Sequence, residues 1–336
     1  MKVSVVLCVL NGERFIEEQL RSIAEQTRVP DEVLIFDDRS TDATIEIARR
    51  VCTETGLPHE VRINPQRLGV EENFSYGMGQ ATGEVIFFAD CDDVWVKEKV
   101  EKMVAPFERD PEMMLVYSDA WITGPQLEPT GRTLFNWKSE KKRLSDGDAR
   151  PIGDFLRSGQ APGIKASAMA FSGKIPKLAG PLPDGVAHDN WVAFFAYALG
   201  NVAAVNEPLH YYRRHDAAWG CSSTNVLIEG LKAPEDQSKQ LRRNKAHLAQ
   251  CVYDRMCALE REMAGKQSFP PRFYELKSAS REAARTLKAR QDIKWTPNGL
   301  HRAVKGITAL LRGDYVATKG YSQKLRVLVK DVRKRS

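Results

Sequence analysis

Short apolar runs rich in valine, isoleucine and phenylalanine alternate with amphipathic stretches over the first third of the chain. The apolar runs fit buried strands, and the amphipathic stretches fit helices with one apolar face. The pattern predicts strands over 2–9, 32–36, 59–63, 84–89 and 114–117. It also predicts four helices: one that begins near Phe15, one that ends near Cys52, one over 70–80 and one over 97–108. Strands that alternate with helices predict an α/β fold with a doubly wound sheet.

The pattern changes twice after this region. Residues 124–150 are polar, contain glycine and proline and show no period, which predicts a long functional loop or lid. Order then returns, with predicted strands over 166–171, 201–205 and 209–212, a helix over 189–199, and helices over 238–263, 272–291, 299–312 and 322–334. We therefore predict an α/β domain over residues 1–224 and a helical region over 225–336.

Composition and charge indicate a globular protein with a basic C-terminal third. Hydrophobic residues make up 42% and charged residues 28% of the 336 positions, as in soluble globular proteins. Residues 225–336 hold 25 Lys and Arg against 11 Asp and Glu, whereas residues 1–224 hold 25 against 33. The basic region predicts either peripheral contact with an anionic membrane surface, best over 319–334, or a solvated helical face. Few aromatic residues lie among the Lys and Arg residues of this region, which disfavours a nucleic-acid partner.

Targeting signals and cysteine usage favour a cytoplasmic protein. We expect no signal peptide at the start of the chain, and no apolar stretch approaches the roughly 20 residues that span a bilayer. The cysteines show no CxxC or metal-type spacing, so we predict reduced thiols for all six: Cys8, Cys52, Cys91, Cys221, Cys251 and Cys257. Acidic neighbours should raise the pKa of Cys91, which argues against a reactive thiolate there.

The sequence FFADCDDVW at 87–95 brings three carboxylates to the point where a buried strand becomes a loop. Asp90, Asp92 and Asp93 would repel one another there, and a divalent cation with oxygen ligands would hold them ionised. Ligands of open α/β sheets bind at this end of the strands. The alternative is a turn in which Asp93 caps the helix that begins near Lys97.

Several motifs occur in a fixed order. Asn11-Gly12-Glu13 follows the first strand, and then come FDDRSTD at 36–42, GVEENF at 69–74, DCDD at 90–93 and HDNW at 188–191. Together they resemble the family 2 glycosyltransferases of GT-A fold, over roughly residues 1–215. The DxDDVW segment and the late YRRH at 212–215 resemble the rhamnosyltransferase-like branch. The resemblance implies a Rossmann-like, mixed and mostly parallel sheet flanked by helices, with residues 1–224 as the catalytic domain and a C-terminal helical extension.

The resemblance implies a role for each acid of these motifs. Asp38 would bind the nucleotide base, and Asp37 would support it or cap the next helix. Asp92 would ligate Mg²⁺ or Mn²⁺ on the donor diphosphate, while Asp90 would face the ribose or a metal-bound water. Asn73 would lie near the nucleotide, or would serve only as a helix cap.

Asp189 matches the catalytic base of this inverting family. A helix N-terminus would stabilise its carboxylate as the anion, and an N-cap is its alternative role. Many relatives have Glu before the base, where this chain has His188. Arg213, Arg214 and His215 would bind the diphosphate, or either arginine would be a solvent-facing charge.

The implied activity is transfer of a hexose with inversion. The donor would be dTDP-rhamnose or a UDP-hexose, and the acceptor a hydroxyl of a glycan or polyprenyl-linked molecule in cell-surface polysaccharide synthesis. A nucleotidyltransferase that forms sugar nucleotides is a second hypothesis, but 9–13 lacks the Gly-rich loop and arginine of that class. A non-catalytic glycan-binding relative is a third, and the intact Asp90, Asp92 and Asp189 disfavour it.

Overall fold

A mixed β-sheet flanked by helices dominates the structure, which is a computed structural model. It describes residues 1–136, 164–215, 235–265, 268–294 and Lys305. The described residues up to His215 belong to one compact unit, and those from Glu235 onward belong to a second. The predicted loop over 124–150 is described only as far as Asn136. The predicted helix over 322–334 lies outside the described residues, and only Lys305 is described in the predicted helix over 299–312.

Nine strands of the described residues form the sheet. In chain order they are β1 Val3–Val9, β2 Glu32–Asp37, β3 His59–Ile63, β4 Val85–Asp90, β5 Val94–Trp95, β6 Met113–Thr123, β7 Pro129–Thr133, β8 Met169–Ser172 and β9 Asn201–Arg213. The helices are α1 Ile16–Ala24, α2 Thr44–Thr55, α3 Val70–Gln80, α4 Lys99–Arg109, α5 Ile175–Ala179, α6 His188–Leu199, α7 Glu235–Glu262 and α8 Pro271–Lys294, with a 3₁₀ turn at Ala166–Ala168.

The strand order is β3-β2-β1-β4-β8-β6-β9-β5, and β7 pairs with β6. β1 is parallel to β2 and β4, β2 to β3, and β6 to β9, while β5, β7 and β8 pair antiparallel with their neighbours. The predicted mixed, mostly parallel sheet is therefore confirmed. Because β8 reverses direction between β4 and β6, its beginning meets the carboxyl ends of those two strands at one edge of the sheet.

β9 differs from its prediction, since one long strand replaces two short ones. The pairing of β9 with β6 shifts where Ser118 faces Val205 but the next residue, Asp119, faces Pro208. The residues between, Asn206 and Glu207, form a bulge that interrupts the apolar pattern without ending the strand. The prediction also missed the short elements β5, β7 and α5, which offer too few residues for a period.

The core lies on both faces of β1 and around α6. Side chains of β1 are almost wholly buried, as expected of a central parallel strand. The predicted apolar face of α1 is confirmed by buried Ile16, Leu20 and Ile23. In α6 most side chains are buried, including Trp191, Phe194 and Phe195, because the helix is apolar almost all round.

The second unit, as far as it is described, is a pair of helices in contact, α7 and α8. Their buried side chains include Val252, Met256 and Leu259 on α7, with Phe273 and Leu276 on α8. No helix of the described residues is both long enough and apolar enough to cross a bilayer.

Close packing of α3 on the sheet gives a test of this fold. A Cβ atom at Gly77 would lie 2.6 Å from Val6 Cγ1 and 2.9 Å from Phe36 Cδ2, whereas one at Gly79 would meet nothing within 4 Å. We expect Gly77→Ala to lower the free energy of unfolding by about 1–3 kcal/mol. The control Gly79→Ala should raise it by up to about 1 kcal/mol, since alanine favours helix. Urea unfolding measures both, and equal effects at the two positions would contradict this packing.

Candidate active site

The carboxyl ends of β2, β1 and β4 place two groups of acids at the same edge of the sheet. In the register of the sheet, Val9 of β1 pairs with Asp37 on one side, and Cys8 pairs with Asp90 on the other. The acids predicted to bind nucleotide and metal therefore flank the end of one central strand, as the sequence suggested.

Asp38 organises the loop that leads into α3. Its Oδ1 accepts hydrogen bonds from the Leu68 N–H (2.7 Å) and Asn64 Nδ2 (3.1 Å), and its Oδ2 accepts one from the Gly69 N–H (2.9 Å). The carboxylate is 5% exposed. Asp38 thus fixes the backbone that borders the predicted base site, in addition to any contact with a base.

Asn73 acts through the same network. Its Oδ1 accepts a second hydrogen bond from Asn64 Nδ2 (2.8 Å), and its Nδ2 donates to the Phe36 carbonyl (3.0 Å). It is buried, so the structure gives it a role in holding Asn64 rather than a helix cap. Asp37, also buried, accepts the Ser40 N–H with both oxygens (3.2 and 3.0 Å), which closes the turn after β2.

The loops after β1 and β2 are tied to each other. Asn11 Oδ1 accepts the Thr41 N–H (2.9 Å), and the Asn11 N–H donates to Ser40 Oγ (2.8 Å). Asn11 and Arg39 adopt left-handed backbone conformations, with φ of 51° and 66°. Such conformations are uncommon outside glycine and concentrate at functional sites.

Asp90 ends β4 and Asp92 follows it, among the acids at the carboxyl edge of the sheet. Burial, followed by the nearby charge of Asp92, raises the pKa of Asp90 to about 7, although Lys165 and the Ser167 hydroxyl act in the opposite direction. Asp92 Oδ2 lies 2.9 Å from His215 Nε2. This is the separation of a hydrogen bond between the two side chains. A carboxylate suits Mg²⁺ and Mn²⁺, and imidazole is a common ligand of transition metals.

Arg213 connects residues 90–93, which we call the acidic loop, to segments that are remote in sequence. Its Nε donates to the Asp92 carbonyl (2.7 Å), its Nη1 donates to the Pro125 carbonyl (2.7 Å), and its Nη2 pairs with Glu18. The guanidinium also lies 4.7 Å from the centroid of the Phe15 ring. Every guanidinium nitrogen thus has a protein partner, which fixes the position of the Arg213 side chain, and its contact with a diphosphate stays a prediction.

The neighbouring predicted residues have different surroundings. The Arg214 N–H donates to the Thr123 carbonyl (3.0 Å), and its side chain is partly exposed. The His215 ring lies 4.6 Å from the ring of Phe15, which therefore supports both His215 and Arg213. His215 is thus brought to Asp92, whereas the sequence placed it only with the diphosphate.

A polar stripe on α1 also holds the acidic loop, and the sequence analysis missed it. Gln19 Nε2 donates to the Asp90 carbonyl (3.0 Å), and Ser22 Oγ accepts the Trp95 N–H (3.0 Å). Gln26, two residues after the end of α1, continues this stripe and donates from Nε2 to the Val96 carbonyl (2.8 Å). The available signal was the helical spacing of these polar residues along a face that is otherwise apolar.

Asp189 lies in the first turn of α6, and its Oδ1 accepts the adjacent Asn190 N–H (2.6 Å). Burial raises the pKa of Asp189, and the Lys165 ammonium partly opposes this. Loss of water around the carboxylate thus outweighs the predicted stabilisation by the helix N-terminus. The charge of Asp189 raises the pKa of Asp90 and of Glu71, so the predicted base and the acidic loop share one electrostatic environment.

Lys165 is a second feature that the sequence analysis missed. It precedes the 3₁₀ turn at the beginning of β8, and its charge acts on both Asp90 and Asp189. A single lysine in an irregular segment gives no sequence signal, because the reversed direction of β8 brings it to the site.

Five of the six cysteines lie within the described residues, and Cys221 lies outside them. Cys8, Cys52, Cys91, Cys251 and Cys257 are free thiols. Burial and the charge of Asp92 raise the pKa of Cys91, as expected of an unreactive thiol. Within the described part of the chain, no group of three His, Cys, Asp or Glu side chains is arranged as a metal site.

Comparison with known proteins identifies the class to which this fold and acidic edge belong. The model of glycosyl transferase family 2 matches residues 4–169, which include the strands β1 to β4 and the acidic loop. The chain belongs to this family, as its ordered motifs predicted.

Relatives match different shares of the chain. An uncharacterized glycosyltransferase of Nostoc sp. is 27% identical over 68% of this chain and 70% of its own length. The glycosyltransferase EpsE of Bacillus subtilis is 28% identical over 38% of this chain, which spans about half (49%) of that relative. The poly(ribitol-phosphate) β-N-acetylglucosaminyltransferase TarS of Staphylococcus aureus is 33% identical over 37% of this chain and 22% of its own.

A solved structure confirms the fold class. The crystal structure of residues 1–349 of S. aureus TarS in complex with UDP-GlcNAc superposes with a TM-score of 0.55, over 94% of this chain and 93% of that one. Sequence identity is 17%, so the likeness concerns the GT-A fold alone.

His188 gives a test of the environment of Asp189. Its ring is stacked on Phe74 (4.4 Å between centroids) and meets Phe88 edge-on, and both ring nitrogens lack a partner among the described residues. Burial lowers the pKa of His188 from 6.5 to about 3. Between these two pKa values the unfolded chain binds a proton that the folded chain does not, so this contribution to stability falls as the pH falls.

We therefore expect His188→Phe to lose less stability than the wild type between pH 7 and pH 5, by about 2 kcal/mol. Thermal unfolding at the two pH values measures the difference. The exposed His59 provides the control, since His59→Gln should keep the pH dependence of the wild type. An unchanged pH dependence in His188→Phe would show that His188 is not buried in its neutral form.

Proposed function

We propose that this protein is an inverting, metal-dependent glycosyltransferase that moves a sugar from a nucleotide-diphosphate donor to an acceptor hydroxyl. The observation that supports this best is the grouping of Asp90, Asp92, His215 and Asp189 in one electrostatic environment at the carboxyl edge of the sheet. Family membership gives the class of reaction, and the grouping gives each residue a part in it.

The donor nucleotide is proposed to bind over the loops after β1 and β2. Asp38, supported by Asp37, would accept the imide N–H of uracil or thymine, because each carboxylate oxygen can accept more than one hydrogen bond. The network through Asn64 and Asn73 keeps this carboxylate in place. Asp90, beside the end of β1, is proposed to bind the ribose or a water on the metal.

The residues present fit a divalent metal at the diphosphate. Mg²⁺ and Mn²⁺ in nucleotide sites use one or two protein ligands, and substrate phosphates and water complete the shell. Asp92 and His215 supply such a pair at 2.9 Å, with Asp90 beside them, so a preformed site of three protein ligands is not needed. The bound cation would neutralise charge on the diphosphate. Arg214 and Lys165 are the further cations that we assign to the diphosphate.

Asp189 is proposed as the general base. Its raised pKa makes it a stronger base than an exposed aspartate, and the Lys165 charge still favours the ionised form. Asp189 would take the proton of the acceptor hydroxyl as that oxygen bonds to the anomeric carbon. The bond from that carbon to the diphosphate breaks on the opposite face, and the configuration is inverted.

The substrates are proposed from relatives and from charge. TarS was crystallised with UDP-GlcNAc, which supports a UDP-sugar donor, and the rhamnosyltransferase-like motifs keep dTDP-rhamnose as the alternative. The acceptor is proposed to be a glycan or polyprenyl-linked molecule of cell-surface polysaccharide synthesis. The excess of Lys and Arg in 225–336 supports peripheral contact with the anionic cytoplasmic face of a membrane.

A donor panel tests the proposal. UDP-, dTDP- and GDP-sugars are assayed for binding and hydrolysis with Mn²⁺, with Mg²⁺ and with chelator. We expect one donor class to be bound in a metal-dependent way. Asp92→Ala should abolish that dependence, and Asp189→Asn should retain binding but lower turnover by about 100-fold or more.

The exposed acid Glu72 on α3 provides a control, since Glu72→Gln should behave as the wild type. Binding of no sugar nucleotide with either metal would refute the proposal and favour a non-catalytic relative. Release of pyrophosphate from a nucleoside triphosphate and a sugar phosphate would instead support the nucleotidyltransferase hypothesis.

A further inference from the structure

The beginning of α1 touches the end of β9, and the proposed reaction does not use this contact. Phe15 precedes α1 and Glu18 lies in its first turn, whereas Arg213 ends β9. Glu18 Oε2 accepts a hydrogen bond from Arg213 Nη2, and Arg213 Cζ lies 4.7 Å from the centroid of the Phe15 ring. The fold thus brings an acid of the first helix to a cation of the last strand of the sheet.

The two partners of this ion pair differ in burial. The Arg213 side chain is 3% exposed, whereas that of Glu18 is 56% exposed. A guanidinium keeps its charge in proteins, and a charge removed from water needs compensation from the protein. Arg213 Nε and Nη1 donate to the neutral carbonyls of Asp92 and Pro125, both at 2.7 Å. Among these three hydrogen-bond partners, Glu18 alone carries the opposite charge.

The planar shape of the guanidinium makes its three contacts interdependent. Its N–H donors point in fixed directions, so partners on three different segments are matched in one orientation of the group. Without the Glu18 carboxylate, the Arg213 charge would keep only neutral hydrogen-bond partners in a largely buried place. This would favour movement of the guanidinium toward water and away from the Asp92 carbonyl.

The main chain of Arg213 is also tied to the acidic loop. Its N–H donates to Asp93 Oδ1 at 3.1 Å. Asp93 therefore does not cap α4, as the sequence analysis allowed, because that helix begins only at Lys99 and has no side-chain cap. Main chain and side chain of Arg213 thus both hold the acidic loop, at Asp93 and at the Asp92 carbonyl.

His215 lies two residues beyond Arg213 and shares its support. The centroid of the His215 ring lies 4.6 Å from that of Phe15, whose ring also contacts Arg213. His215 Nε2 in turn lies 2.9 Å from Asp92 Oδ2. The place of the His215 ring therefore depends on how the end of β9 is held against α1 and the acidic loop.

We propose that Glu18 is a positioning residue for the proposed metal site: through Arg213 it holds the end of β9 against the acidic loop and keeps His215 beside Asp92. The inference rests on the proposed function in one respect, the metal at Asp92 and His215. The anchoring of Arg213 by Glu18 is independent of that function and can be tested on the metal-free protein.

Exchange of the Arg213 Nε–H with water tests the anchor in the full-length protein without metal. NMR spectroscopy should show exchange about tenfold faster or more in Glu18→Ala than in the wild type, because the guanidinium loses a partner and opens to water. Glu17→Ala is the matched control and should keep the wild-type rate, since Glu17 lies on the same helix and pairs with Arg21 and Arg50 at the surface. An unchanged rate in Glu18→Ala would overturn the anchor.

Manganese binding tests the positioning role. In calorimetric titrations of Mn²⁺ in the presence of UDP, Glu18→Ala should bind the metal about tenfold more weakly than the wild type, as is usual for groups that orient metal ligands. Glu18→Asp keeps the carboxylate and should recover part of this affinity, and Glu17→Ala should bind as the wild type does. Unchanged affinity in Glu18→Ala would overturn positioning and leave Glu18 a purely structural partner of Arg213.

A double-mutant cycle shows whether Glu18 acts through Arg213. If it does, Glu18→Ala should weaken Mn²⁺ binding no further in a protein that already carries Arg213→Met. Additive losses would overturn this route. Should Arg213→Met fail to fold, Arg213→Lys replaces it in the cycle, because lysine keeps the charge and lacks the planar fork.

The affinity for UDP separates positioning from a direct contact of Arg213 with the diphosphate. With Mn²⁺ present, Glu18→Ala should bind UDP more weakly than the wild type, although loss of a negative charge by itself favours an anion. Tighter binding of UDP by Glu18→Ala would overturn the proposal, because Arg213 would then serve the diphosphate better when freed from Glu18. If the wild type binds no Mn²⁺ with UDP, the metal assignment in the proposed function fails, and exchange of the Arg213 Nε–H still decides the anchor.

Discussion

Desolvation of carboxylates at the end of a buried sheet is the constraint on which the rest of this site depends. Asp90 and Asp93 lose most of their water and repel each other and Asp92, so their ionised forms need compensation from within the protein. Several groups of the protein supply this compensation. Lys165 and the Ser167 hydroxyl act on Asp90, and backbone N–H groups act on its neighbours. Under the proposed function, a divalent cation would extend the same compensation to the diphosphate of a donor at this edge.

The acidic loop owes its shape to helices and strands far from it in sequence. The polar stripe of α1 binds its backbone, and Arg213 binds it from β9 while Glu18 holds Arg213 in turn. These contacts end on main-chain carbonyls and N–H groups, so they fix the path of the loop without using the carboxylates of Asp90 and Asp92. The apolar core beneath supplies the rigidity that such a site needs, because the strands on both sides of β1 are almost wholly buried.

Sequence alone predicted the features that depend on local pattern. The apolar runs of β1, β2 and β4 and the acids that follow them are contiguous in sequence, so their type and order could be inferred, and family motifs added Asp189. Partnerships between distant segments could not be inferred. The direction of the Arg213 side chain depends on Glu18 and the Pro125 carbonyl, which no spacing connects to it. The continuity of β9 through its bulge likewise depends on β6, and burial of Asp189 depends on how α6 packs.

The reversed direction of strand β8 determines where the chain rejoins the sheet after residues 137–163. The chain enters the segment 137–163 from the hairpin after β6, where the Phe135 N–H is anchored to Asp119 at 3.0 Å. It leaves that segment at Lys165, beside Asp90. Both anchors therefore lie at the edge of the sheet that holds the site. Both ends of the segment are therefore fixed by the sheet, so a change in the number of residues between them would leave the register of the strands that carry Asp37 and Asp90 unchanged.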